Sequence, residues 1–238
     1  MTRTSPFIKH HLASCLLPAD NSTLYDYVLA GNGVFIRGKR RELSVLFPIV
    51  EHPIAGLPPI AGSLTLTIPR IPQRFIQEMM EEALGACAEP AGPLESLFHF
   101  EHDTDWCMTI PDQIRTPFSV QPSTPERCPS YEHAIVEIHS HHTMAPRFSV
   151  VDDEDETGFR IYGVCGWLTT RPSITFRVGL YGHFIPIPAE FVAELPPTLQ
   201  DTYRQCGARC HRDMLSLQGI AAQNKTPGHT WTLVMYMP

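Results

Sequence analysis

The stretch Ala134–Asp152, AIVEIHSHHTMAPRFSVVD, holds most of the chemical information in this 238-residue chain. Its apolar lead-in, Ala134, Ile135, Val136 and Ile138, has the composition of a buried strand. The strand runs into His139-Ser140-His141. Successive strand side chains project to opposite faces, so the two imidazoles share one side and Ser140 turns to the other. Seven residues separate His141 from Ser149, and Asp152 follows three further on. Ser149-Val150-Val151-Asp152 has the pattern of a helix N-terminus, with a Ser cap and a carboxylate at the third helical position. A helix packed beside the strand end brings Asp152 to both imidazoles. Two imidazole nitrogens and one carboxylate oxygen, with a fourth position open to water, describe a catalytic zinc site. His139, His141 and Asp152 are therefore the expected ligands, and Zn²⁺ the expected cofactor.

Taken together, His-Ser-His, seven residues, Ser, two residues and Asp resemble the signature of the JAMM (MPN-domain) zinc peptidases at every fixed position. The resemblance implies an upstream glutamate as general base. Glu95, in Pro93-Leu94-Glu95 and 44 residues before His139, is the candidate. Glu137 competes with it, because it shares a strand face with His139 and His141, but at about 6.6 Å per two residues it sits behind the first ligand. The resemblance also gives Ser149 a second task beside capping, donation of a hydrogen bond to the oxyanion. One departure is His142, where the family usually has proline after the second histidine. The overall layout and the segment Val178-Gly-Leu-Tyr-Gly-His183 are similar to the member of this family found in bacterial PRTRC systems. That similarity implies a ubiquitin-like protein as substrate and an activating-enzyme-like protein as a further partner.

The implied fold is α+β, an MPN-type, cytidine-deaminase-like domain whose mixed, mostly antiparallel sheet is flanked by helices. Residues 71–238 are assigned to it, including a C-terminal helix and strand, and residues 1–70 to a small β-rich module. In that module 25–30, 34–36, 43–47 and 64–68 are short runs of β-branched and aromatic residues, with Gly31-Asn32-Gly33 as a turn. A helix is expected over 73–88, where Phe75, Ile76, Met79, Met80, Ala83, Leu84 and Cys87 recur at helical spacing behind Pro72. Strands are expected near 95–100, 106–109, 160–168 and 173–181, around the His-Ser-His strand and its short acidic helix. The order helix, two strands, metal strand, helix, two strands is the one JAMM domains show. A helix near 199–217 and a strand over 230–235 complete the chain.

Composition bounds the function. A net charge of −7 argues against a broad nucleic-acid surface, and the basic run Arg37–Arg41 reads as a solvated hairpin end. No segment approaches 18 consecutive apolar residues, and residues 1–20 lack the apolar stretch of a secretory leader. Seven irregularly spaced cysteines suit free thiols in a reducing cytoplasm. Cys206, Cys210 and His211 do not have the spacing of a metal knuckle, and Asp153–Glu156 reads as a solvated acidic helix start. The sequence therefore points to a zinc isopeptidase or peptidase. A sulfur-carrier-processing hydrolase and a non-catalytic scaffold of the same fold stand as alternatives.

Overall fold

The computed structural model describes residues 7–13, 17, 24–90, 92–124, 128–203, 220–224 and 230–235. It is a mixed α+β structure, rich in strands and with few helices. The chain divides into two units, residues 1–69 with 210–238, and residues 70–209. No helix among the described residues is long and apolar enough to cross a membrane.

The first unit opens with β1 (Ile8–Leu12), β2 (Tyr25–Ala30), β3 (Gly33–Lys39), β4 (Leu43–Glu51) and β5 (Gly62–Leu66). β1 lies parallel to β2, and the following neighbours pair antiparallel in chain order. At the expected turn between β2 and β3, Gly33 adopts φ 142°, which a side chain would resist. β1 is absent from the sequence reading because IKHHL is half polar and has no alternation that favours a strand. Arg37 is not part of a solvated basic run. It is buried on β3, where Nη2 lies 2.6 Å and Nε 2.9 Å from the Asp26 carboxylate. His11 Nε2 stands 3.0 Å from the same oxygen.

The second unit begins with α1 (Gln73–Cys87), whose N-cap position is Pro72. Ile76, Met79, Met80, Ala83 and Ala86 are its buried stripe. Leu84, expected on that stripe, is exposed. Then follow β6 (Leu97–His102), β7 (Trp106–Thr109), the hairpin β8 (Gln113–Arg115) and β9 (Val120–Pro122), α2 (Pro129–His133) and β10 (Val136–Ser140). α3 (Val150–Asp155) leads to β11 (Phe159–Gly166), β12 (Ser173–Leu180), β13 (His183–Ile187), α4 (Ala189–Val192) and β14 (Gln200–Asp201). The sheet order is β13-β12-β11-β10-β6-β7, with β14 beside β12. β10 and β11 run parallel, as do β12 and β14, and the other pairs are antiparallel. A parallel pair needs a crossover connection, and α3 lies in that crossover. β13 escaped the sequence reading because Pro186 interrupts it. A proline is tolerated here because β13 is an edge strand.

Registers of β10 with β6 and β11 fix the faces of this sheet. Glu137 stands opposite His99 and Tyr162, and His139 opposite Leu97 and Val164. These residues form one face. Ser130 of α2 bonds His99 there, and Asp152 of α3 reaches His139. On the other face are Val136, Ile138 and Ser140 with Phe98 and Phe100, all fully buried. The last turns of α1 line a cavity with Ser96 and Phe98 on that side.

The chain then returns to the first sheet. β15 (Ile220–Asn224) pairs with β16 (Trp231–Met235), and β16 pairs antiparallel with β5. The expected strand over 230–235 is therefore present, but it belongs with the first unit rather than with residues 71–209. The edge of β5 away from β4 carries backbone groups that β16 pairs, and pairing over so long a stretch of chain is invisible to local patterns. The expected helix over 199–217 lies largely outside the described residues, as do Cys206, Cys210 and His211. A chain ending at residue 219 should expose β5 as an edge. We expect limited proteolysis to cut its first unit faster than in the full chain, with residues 70–203 as resistant as before. Unchanged resistance of the first unit would show that β5 needs no partner.

Candidate metal centre

The two histidines sit at the carboxyl end of β10, beside the parallel strand β11. His141 extends the pairing by one step, its backbone N–H donating to Cys165 O at 2.7 Å. Both imidazoles turn their Nε2 atoms inward, 3.1 Å apart. Asp152 Oδ1 stands 3.2 Å from His139 Nε2, and Oδ2 stands 3.9 Å from His141 Nε2. One ligand atom from each of the three residues lies within 4.8 Å of the others. Neighbouring donors around a tetrahedral zinc at 2.0–2.1 Å are about 3.3 Å apart. The separations of 3.1 and 3.2 Å fit that spacing, and the third, 3.9 Å between His141 and Asp152, is wider.

The orientation of each group has a local cause. His141 Nδ1–H donates to Ala145 O at 3.1 Å, which leaves the Nε2 lone pair facing the site. Ser149 caps α3 in a capping box: its hydroxyl oxygen accepts from Asp152 N–H at 3.2 Å, and Asp152 Oδ2 accepts from Ser149 N–H at 2.5 Å. The same carboxylate thus closes the helix start with one oxygen and offers the other to His139. His142 takes φ 34° and is buried. Proline, with φ fixed near −65°, cannot occupy that turn. The His142 ring accepts from Thr143 N–H at Nδ1, 2.7 Å, and donates from Nε2 to Pro117 O, 2.8 Å.

Glu95 joins the three candidate ligands through Ser140. The Ser140 hydroxyl, on the face away from the imidazoles, accepts from Ser96 N–H at 2.9 Å, and Ser140 N–H donates to Ser96 O at 2.9 Å. Arg115 donates to Glu95 O at 2.8 Å and to Ser96 Oγ at 2.9 Å, and Glu95 N–H donates to Thr116 O. Glu95 is buried, with Oε1 3.8 Å from His141 Nε2 and without a hydrogen-bond partner. An orphaned buried carboxylate oxygen requires an explanation, and an ion or a substrate atom supplies one.

Glu137 is engaged elsewhere. Its Oε2 accepts from Arg160 Nη1 at 2.9 Å and stands 3.6 Å from His99 Nε2. Burial and the Arg160 charge lower His99 to about 4, so that ring is neutral. The solvated reading of Asp153–Glu156 holds for Glu154 and Asp155 but fails for Glu156, which is buried against Arg177. Half-exposed Asp153 pairs with Arg177 as well. The signal for Glu156 was Arg177 itself, an arginine inside the apolar strand SITFRVGL, which needs a buried counter-charge.

Electrostatics at the site follow from burial and crowding. Burial pushes the Glu95 carboxyl up to about 7, with the Asp152 charge adding to the rise and His139 opposing it. Burial also works against ionised Asp152, but the His139 bond and charge and the two Ser149 bonds overcome it and hold the group well below the usual carboxylate range. Burial and the His139 charge lower His141, while His139 is raised, its desolvation outweighed by Asp152, Glu156 and Glu95. No protein-family model matches this chain, and no curated protein matches it.

Two outcomes test the geometry. The purified protein should bind about one equivalent of zinc, and His139→Ala, His141→Ala and Asp152→Ala should each lose it. Equal zinc by elemental analysis in all four proteins would dismiss the centre. Ser140→Ala leaves the buried Ser96 N–H without an acceptor, at a cost of about 1–3 kcal/mol. We expect a lower denaturant midpoint for the second unit, and a midpoint equal to wild type would show that this bond holds nothing.

Proposed function

We propose that this chain is a zinc-dependent hydrolase of the JAMM type that cleaves an isopeptide or peptide bond at the C-terminus of a ubiquitin-like protein. The observation that carries the reading is the buried Glu95 carboxyl, its Oε1 without a hydrogen-bond partner, beside His139, His141 and Asp152. The mixed, mostly antiparallel seven-stranded sheet, with the parallel pair β10 and β11 at its centre and helices on both faces, suits an MPN-type domain. The donor set of two nitrogens and one oxygen suits zinc with one position left open. Bound there, zinc would supply Lewis acidity, acidifying water and polarising the scissile carbonyl.

The chain's own residues divide the remaining work. Glu95 Oε1, held near His141 and close to neutral pH in its proton affinity, takes the proton of the attacking water and passes it to the leaving amine. The Ser149 oxygen already accepts from Asp152 N–H, so its hydroxyl hydrogen is available to the tetrahedral oxyanion. One such donor is worth about 2.7–4 kcal/mol. Glu137 is committed to Arg160 and cannot serve as base without breaking that pair. As in PRTRC systems, the partners would be a ubiquitin-like protein and an activating-enzyme-like protein. A reducing cytoplasm suits the free thiols at Cys87, Cys107, Cys128 and Cys165.

The test uses the zinc-loaded protein and a ubiquitin-like protein fused through its C-terminus to a reporter, with cleavage followed by mass. Glu95→Gln keeps shape and ligands but cannot accept the proton. Its turnover should fall by roughly 10²–10⁴ with zinc content intact, whereas Glu137→Gln should keep most of it. No cleavage by wild type would reject the function, and full activity in Glu95→Gln would reject its base.

A further inference from the structure

We infer that Glu156 is a positioning residue for the metal ligand His139, and that Arg177 holds it in place. The inference rests on the metal reading of His139, His141 and Asp152. Each histidine presents Nε2 to the site, so each has Nδ1 on the far side of its ring. His141 Nδ1 faces the Ala145 carbonyl at 3.1 Å. His139 Nδ1 faces Glu156 Oε1 at 3.8 Å. That separation is longer than a hydrogen bond, so the carboxyl stands beside the ring nitrogen without bonding to it. An imidazole that gives one nitrogen to a cation carries its proton on the other. An acceptor on that side fixes the tautomer and the ring plane and raises the basicity of the ligating nitrogen. His141 has a carbonyl dipole in this position, and His139 has the Glu156 carboxyl.

Glu156 is gripped from behind. Its Oε2 accepts from Arg177 Nε at 2.8 Å, with Nη2 2.6 Å from the same oxygen. The guanidinium itself has little freedom: its carbon lies 3.8 Å from the Phe148 ring centroid and 3.7 Å from that of Phe184. Phe148 also meets the His139 ring edge-on, with centroids 6.4 Å apart. Asp153 pairs with Arg177 Nη1. The arginine therefore has a second counter-ion, and simple neutralisation does not require Glu156 to be buried. Its Oε1 is left for His139.

Zinc affinity of the full chain, measured by competition with a chromophoric chelator, tests the inference. The absorption of the cobalt-substituted protein serves as a signature of ligand geometry. Glu156→Gln replaces the carboxyl but keeps an acceptor for Arg177, and should weaken zinc binding by roughly 10- to 100-fold and shift the cobalt bands. Arg177→Lys loosens the grip and should weaken it in the same direction, which keeps the inference testable if Glu156→Gln fails to fold. Glu137→Gln replaces a part-buried, arginine-paired carboxyl on the same sheet face as His139 and should change affinity far less. Wild-type affinity and cobalt bands in Glu156→Gln, or an equal loss in Glu137→Gln, would overturn the positioning role. A wild-type protein that takes up no zinc would instead overturn the metal reading.

Discussion

Two hydrogen bonds between Ser96 and Ser140 tie together segments 44 residues apart, and the site depends on them. Strand alternation sends His139 and His141 to one face and leaves the residue between them free on the other. Serine in that place is small enough for a tightly packed interior, and it carries an acceptor for a buried N–H. Once Ser96 is fixed, Glu95 follows, and the Arg115 and Thr116 contacts of the β8–β9 hairpin secure its backbone. The His142–Pro117 bond ties the same hairpin to the end of the histidine strand. The left-handed turn at His142 and this bond belong together, since the turn brings the ring to the hairpin.

A second constraint acts from the β11 side. Parallel β10 and β11 force the chain to cross over, and the crossover delivers α3 to the carboxyl end of β10. The path is tight: a Cβ on Gly166 would come within 2.3 Å of Met144 O. The loop after His141 is therefore pressed against the end of β11, and Ser149 starts its helix where Asp152 meets His139. The capping box makes this arrangement economical in residues. Asp152 satisfies the helix start and faces the imidazole with the same carboxylate.

Much of the second unit was legible because its signals are local. Alternation gave β10 and the facing of His139 and His141, the Ser-x-x-Asp pattern gave the start of α3, and the period of Ile76, Met79, Met80 and Ala83 gave α1. Glu95 came from resemblance, through its Pro93-Leu94-Glu95 strand entry, which Glu51 and Glu101 lack. Long-range features were lost. β16 pairs with β5 across most of the chain, and Arg37 and Glu156 were read as solvated because each stands in a charged run. Both were misjudged in one way: local charge density was taken for exposure, although a lone arginine between apolar strand residues announces a buried partner.

That rule sorts the carboxylates around the centre. Glu137 has Arg160, Glu156 has Arg177, and on the other unit Asp26 has Arg37. Each of these acids balances a cation that the fold itself buries. Glu95 and Asp152 have no such arginine among the described contacts, and their charged neighbours are the two imidazoles. Burial of two carboxylates beside two histidines leaves the site with more acid than fixed base, and an uncompensated buried charge is strongly unfavourable. A divalent cation held by His139, His141 and Asp152 would correct that imbalance, which an arginine in the same place would have removed. Glu95 and Asp152, the two acids here without an arginine, are thus the ones that the proposed chemistry uses.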